Sequence, residues 1–101
     1  MIHYFLLKFE PDYYGRDVLN YTKEVFNSIV NTIDDVLSAE VYGNCIERDS
    51  NMDIMVVMRF GSKEALSSYL NHQLHLEFVN TIDKHVVSRV SFDCNDMTCN
   101  P

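Results

Sequence analysis

The sequence contains no tryptophan, three glycines and three cysteines in 101 residues, and eight basic side chains stand against fifteen acidic ones. Each shortage removes a class of function. The glycines, at 15, 43 and 61, are isolated, so no glycine-rich loop can set successive N–H groups against a phosphate. There is likewise no GxSxG elbow and no dinucleotide fingerprint. A net charge of −7 without a basic cluster repels nucleic acid and anionic membrane surfaces alike. No run approaches the roughly 20 apolar residues that a membrane span requires. The opening IHYFLL has neither the basic leader nor the small-residue cleavage site of a secretory signal. An odd number of cysteines, at 45, 94 and 99 without CxxC spacing, argues against a disulfide framework and for a reducing, cytoplasmic setting. The Asp93/Asn95/Asp96 cluster lacks the glycine and closing glutamate of a calcium loop.

What is present is a single small domain, expected over 1–93, with a polar tail over 94–101. A chain this short buries only about two-thirds of the surface it exposes when unfolded, so its core is thin. IHYFLLKF (2–9) reads as a strand ended by Glu10-Pro11. The apolar recurrence at 18/19, 25/26, 29/30 and 33 predicts an amphipathic helix over 17–33. Asp34-Asp35 makes a turn, LSAEVYGN (37–44) is a second strand and IMVVMRF (54–60) a third. Ser62 is a good helix N-cap with Glu64 favourable behind it, and one helix is expected from there to about Lys84. HVVSRVSF (85–92) is the last strand. The order β-α-β-β-α-β, with right-handed crossovers, gives an α+β, ferredoxin-like domain with one antiparallel four-stranded sheet and both helices on one face.

Both faces of that sheet are apolar. His3, Phe5, Leu7 and Phe9 point one way along the first strand, and Ile2, Tyr4 and Leu6 the other. Ile54, Val56, Met58 and Phe60 likewise oppose Met55 and Val57. Helices can cover one face only, so a second copy, sheet against sheet about a two-fold axis, is the expected cover for the other.

Chemistry concentrates in YLNHQLHLEF (69–78). His75 aligns with Phe78, Val79 and Ile82 on the face that should meet the sheet, where an ionisable ring needs a hydrogen bond or loses its charge. One reading makes His75 a packed histidine satisfied by a backbone carbonyl, with Tyr69 a half-buried aromatic. The other brings His3 across from the first strand, so that two imidazoles and a phenol edge an apolar cavity of the kind that binds small molecules. His72 and His75, spaced i, i+3, could begin a metal site with Glu77 or His3, but nothing fixes further ligands; neither metal nor cofactor is expected. On a straight helix Tyr69 and His75 diverge by about 120°, too far to serve one small molecule.

The run MDIMVVMRFGSKEALSSYLNHQLHLEFVN resembles the signature of the stress-responsive dimeric α/β-barrel (Dabb) family, as do HYFLLKF, VLSAEVYGN and VVSRVSFD at their places along residues 2–93. The resemblance implies a homodimer whose two sheets close a barrel. It also implies a possible cofactor-independent activity, because a plant olivetolic acid cyclase of this family uses a tyrosine and a histidine from this helix. By motif these are Tyr69 and His75 as catalytic residues, with His3 and His72 lining the same cavity. Phe5, Leu7, Phe26 and Phe78 are expected to supply its apolar wall. A neutral imidazole can take a proton from between two carbonyls, and a phenol can donate to the enolate oxygen. Two departures stand out. Gln73 occupies the place of the family's proline, and Asp34-Asp35 that of its Pro-Gly turn. Without the proline, either Asn71 caps a second segment or the helix runs straight. Three functions follow: a dimeric protein binding a small, partly apolar molecule, a cofactor-free cyclase-like enzyme, and a haem- or quinol-directed monooxygenase. The last is an analogy at superfamily level only, and the lack of tryptophan counts against it.

Overall fold

The structure is a computed structural model that describes residues 1–95. β1 (Ile2–Phe9) leads into α1 (Arg16–Thr32), followed by β2 (Val36–Gly43) and β3 (Ile54–Phe60). α2 (Lys63–Asn71), α3 (Gln73–Ile82), a 3-10 turn over Asp83–His85 and β4 (Val86–Cys94) complete the chain. The strands lie in the order β2-β3-β1-β4, every neighbouring pair antiparallel. This is the ferredoxin-like sheet, with β2 and β4 as its edges. No helix among the described residues is long and apolar enough to cross a membrane.

Helix α1 forms because its apolar side chains fall on one stripe. Val18, Thr22, Phe26 and Ile29 are its buried residues, at the spacing that 3.6 residues per turn aligns. Asp17 sits in the first turn, where the N-terminal end of the helix dipole favours an acid. Thr22, fully buried, donates its hydroxyl to the Val18 carbonyl 2.8 Å away, so its polar atom is satisfied within the helix. The turn that follows is closed by Asp35 in the left-handed region, φ 68°, which a short polar side chain tolerates better than most. Asp35 also accepts a hydrogen bond from the Ser62 hydroxyl at 3.1 Å and, through its carbonyl, one from the Gly61 N–H at 3.0 Å. Gly61 leaves room for this: a β-carbon there would lie 2.3 Å from the Asp35 carboxylate.

The core lies between sheet and helices. Leu7 and Phe9 of β1 and Ile54, Val56, Met58 and Phe60 of β3 meet Phe26 and Ile29 of α1, Tyr69 of α2, and Phe78 and Ile82 of α3. Their β-strand neighbours point to the other side. Tyr4, Leu6, Met55 and Val57 are only partly covered there, and Phe92 and Val90 of β4 are 63% and 53% exposed.

The single helix expected from Ser62 to Lys84 is two. Ser62 caps α2 as anticipated, accepting from the Ala65 N–H at 3.2 Å. The chain then breaks at His72, whose ψ of 147° is extended backbone, and restarts as α3. The cap of α3 is His72 itself: its Nδ1 accepts a hydrogen bond from the Leu74 N–H at 3.1 Å. Asn71 does not serve, because its side-chain amide donates to the Ser67 carbonyl instead.

Candidate active site

The break at His72 decides the geometry of the site. Bending the chain between Tyr69 and His75 cancels the divergence of a straight helix, and their rings come together with centroids 4.6 Å apart. His3 approaches Tyr69 from the sheet, ring centroids 6.2 Å apart. These three side chains edge a cleft of about 470 Å³ between β1, β4 and the α2–α3 pair. A volume of this order suits a small organic molecule. Phe5, Leu7, Leu66, Phe78, Val79 and Ile82 give the cleft its apolar wall.

Tyr69 is 1% exposed. Its hydroxyl makes no hydrogen bond within the described residues, and no buried side-chain oxygen or nitrogen there lacks a partner entirely out of contact with the surface. The oxygen therefore reaches the cleft, where it remains a donor to whatever enters. Burial raises its pKa well above that of a free phenol, so it stays protonated at any ordinary pH.

His75 is held differently. Its Nδ1 lies 2.9 Å from the Leu70 carbonyl. A carbonyl only accepts, so Nδ1 carries the proton and the neutral ring presents its lone pair at Nε2. Burial lowers the His75 pKa, the Leu70 carbonyl acts in the opposite sense, and the neighbouring His3 lowers it further. The ring is therefore neutral at pH 7, with a basic nitrogen in reach of the cleft. His75 is thus both a histidine satisfied by a backbone carbonyl and one that keeps its second nitrogen available.

His3 is fixed by a carboxylate. Its Nδ1 lies 2.5 Å from Asp93 Oδ1, across the β1–β4 register that sets His3 beside Asp93. The same register sets Ser91 beside Phe5 and Arg89 beside Leu7, and all three β4 side chains line the cleft. Sequence reasoning did not single out these three as ligand contacts. Their signal is the period-two spacing 89, 91, 93 opposite three expected wall residues, which becomes informative only when the pairing of β4 with β1 is known.

Of the residues expected at the site, His3, Phe5, Leu7, Tyr69, His75 and Phe78 are brought together around the cleft. Two are not on its wall. His72 spends its Nδ1 on the α3 cap and acts on the site through the backbone. Phe26 is 1% exposed and lies behind the wall, its ring centroid 5.5 Å from that of Phe5 and 5.2 Å from that of Phe78. Among the described residues no cluster of three His, Cys, Asp or Glu side chains could hold a metal ion; His72 and His75 spend their Nδ1 atoms on separate backbone groups. Cys94 is a free thiol, and Cys99 lies outside the described residues.

Residues 2–96 match the profile of the family described as "Stress responsive A/B Barrel Domain". No curated protein matches the chain in sequence. Among solved structures the chain is similar to the Arabidopsis thaliana protein At3g17210, at 18% identity and TM-score 0.79, covering 99% of this chain and 98% of that one. A dimeric protein of unknown function and ferredoxin-like fold from Bacteroides fragilis has 20% identity and TM-score 0.74, over 92% and 94% of the two chains. The hydroxynitrile lyase of Passiflora edulis has 10% identity and TM-score 0.74, over 96% and 94%. At these identities the structural likeness establishes the fold.

Proposed function

The chain belongs to the stress-responsive A/B barrel (Dabb) family, and from that premise we propose that it is a cytoplasmic homodimer that binds a small, partly apolar molecule in the cleft beside Tyr69 and His75. One observation carries the binding function: a phenol that is buried to 99% of its surface, yet whose hydroxyl faces the cleft without a partner among the described residues. A carbonyl oxygen entering the cleft can accept a hydrogen bond from this hydroxyl, worth about 0.5–1.5 kcal/mol net. The dimer is supported by the outer sheet face, where Phe92 and Val90 stand exposed beside Tyr4 and Leu6, and by the dimeric B. fragilis relative. Titration with phenylacetone, followed by protein NMR, tests the site. Shifts confined to the cleft residues and lost in Tyr69→Phe are expected. Shifts spread over the outer face would overturn the assignment.

A second function, cofactor-free acid–base catalysis, is favoured by the tautomer of His75. With Nδ1–H committed to Leu70, the neutral Nε2 can take a proton from an activated carbon beside a carbonyl. The electron pair left behind moves onto the carbonyl oxygen, where the Tyr69 O–H donates a hydrogen bond. The enolate carbon can then attack a second carbonyl of the same molecule, forming a carbon–carbon bond, and the imidazolium returns its proton to the new alkoxide. Deuterium exchange at the activated methylene of phenylacetone isolates the first step. Exchange faster than in buffer, and abolished by His75→Ala at unchanged melting temperature, is the expected result. Equal exchange with wild type and variant would leave the cleft as a binding site only.

A further inference from the structure

The polar groups of the cleft are not gathered at one end. Asp93 and Arg89 are four residues apart on one face of β4, a separation of about 13 Å along an extended strand. Asp93 is committed to His3, near Tyr69 and His75. Arg89 stands opposite Leu7 and shares its end of the cleft with Ile82. It is the one Lys or Arg among the described residues that line the cleft. Its Nη2 is anchored by Asp83 Oδ1 at 2.6 Å. A guanidinium has five N–H donors, and this bond uses one of them, so the group is oriented by Asp83 while keeping donors to offer. Ser91 lies between the two ends, exposed to the cleft and beside Phe5.

The cleft thus has an end with the Tyr69 phenol, the His75 imidazole and the His3–Asp93 pair, an apolar middle, and an end with the Asp83-paired Arg89 guanidinium. We propose that its ligand is an anion of matching layout: a ketone or enolisable carbonyl that meets Tyr69, an apolar or aromatic spacer on Phe5, Leu7 and Phe78, and a carboxylate that meets Arg89. A carboxylate takes two guanidinium N–H bonds in parallel, which a neutral polar group does not. The proposal rests on the cleft being a ligand site and adds the chemical class of the ligand.

The test uses two probes that differ in charge and one methyl group, 4-(3-oxobutyl)benzoate and its methyl ester, titrated against the full chain by NMR. The acid is expected to bind about tenfold or more tighter than the ester, the size of one charge-assisted hydrogen-bonded contact. Arg89→Met should erase that preference, bringing acid and ester to equal affinity, and Arg89→Lys should restore part of it. Tyr69→Phe should weaken both probes equally. Equal affinity of wild type for acid and ester, or a preference that survives in Arg89→Met, would overturn the anionic class and leave the binding site standing. No shift at cleft residues with either probe at millimolar concentration would overturn both.

Discussion

The two edge strands of the sheet carry opposite patterns. On β2 the inward side chains are Val36, Ala39 and Val41, packed into the core cluster, and the outward ones include Ser38, Glu40 and Tyr42, the Tyr42 hydroxyl donating to Glu40 at 2.7 Å. That is the ordinary sense of a half-buried strand. On β4 the sense is inverted. Arg89, Ser91 and Asp93 are in register with Leu7, Phe5 and His3 on the cleft side, whereas Val90 and Phe92 are in register with Leu6 and Tyr4, Val90 also bordering the cleft. A strand whose inner face is polar has no core to build there, and the helices leave that strip open as a cleft. A strand whose outer face is apolar has no business with water, and asks for a second sheet. β2 finishes the fold, while β4 leaves a polar strip on the cleft side and exposed apolar side chains on the other.

The strongest way to break this contrast is to make the outer face of β4 read like that of β2. Phe92→Asp replaces a ring that is 63% exposed in the isolated chain. If that ring is buried by a second copy, each protomer loses about 2 kcal/mol, and a two-fold interface counts it twice. Dimer affinity should fall by about three decades, read by sedimentation velocity over a micromolar dilution series. The matching change on β2, Tyr42→Asp, should have a much smaller effect. A wild-type chain that sediments as a monomer at those concentrations would remove the outward half of the comparison.

On the inner face the contrast sharpens with Tyr69→Phe. Removing a hydroxyl that lacks a protein partner should leave the melting temperature unchanged or raise it slightly, while ligand affinity falls about tenfold. Loss of stability and binding together would mean the hydroxyl has a structural partner after all. The His75 environment predicts a pH effect of definite sign. Its folded-state pKa is lowered, chiefly by burial, so the unfolded chain binds a proton more readily than the folded one. Stability from this group is complete above the unfolded value near 6.5 and declines as pH falls through the lowered value. His75→Gln should flatten that acid limb in urea titrations run at a series of pH values. An unchanged slope would assign the acid sensitivity elsewhere.

Much of this architecture is legible in the residues themselves. The alternation within β1 and β3 gives two apolar faces, and Ser62 announces the start of α2. Convergence of His3 with the 69–78 segment follows once a helix packs on β1. Two things were hidden. The inward face of β4 depends on register with β1, which alternation alone leaves open by one residue. The break at His72 depends on an imidazole accepting a backbone N–H, although histidine is not among the residues that usually cap. Without that break, Tyr69 and His75 point apart and His72 looks like a wall residue. With it, His72 becomes the hinge; Phe26 lies in the core on the buried stripe of α1.

That hinge can be tested by the residue the family pattern would place beside it. Gln73 is the first residue of α3, where a missing N–H costs nothing and a fixed φ near −65° already suits the helix. The preceding His72 is extended, ψ 147°, the conformation a following proline demands. The side chain of Gln73 contributes an exposed bond to Glu77 at 3.0 Å, worth a few tenths of a kcal/mol. Gln73→Pro should therefore stabilise the chain by about 0.4–1 kcal/mol through the unfolded state, read as a higher denaturation midpoint at unchanged m-value. Cleft geometry should be preserved, with ligand affinity equal to wild type. Destabilisation would show that α2 and α3 exchange with one straight helix in solution, and the meeting of Tyr69 with His75 would then be a minor state.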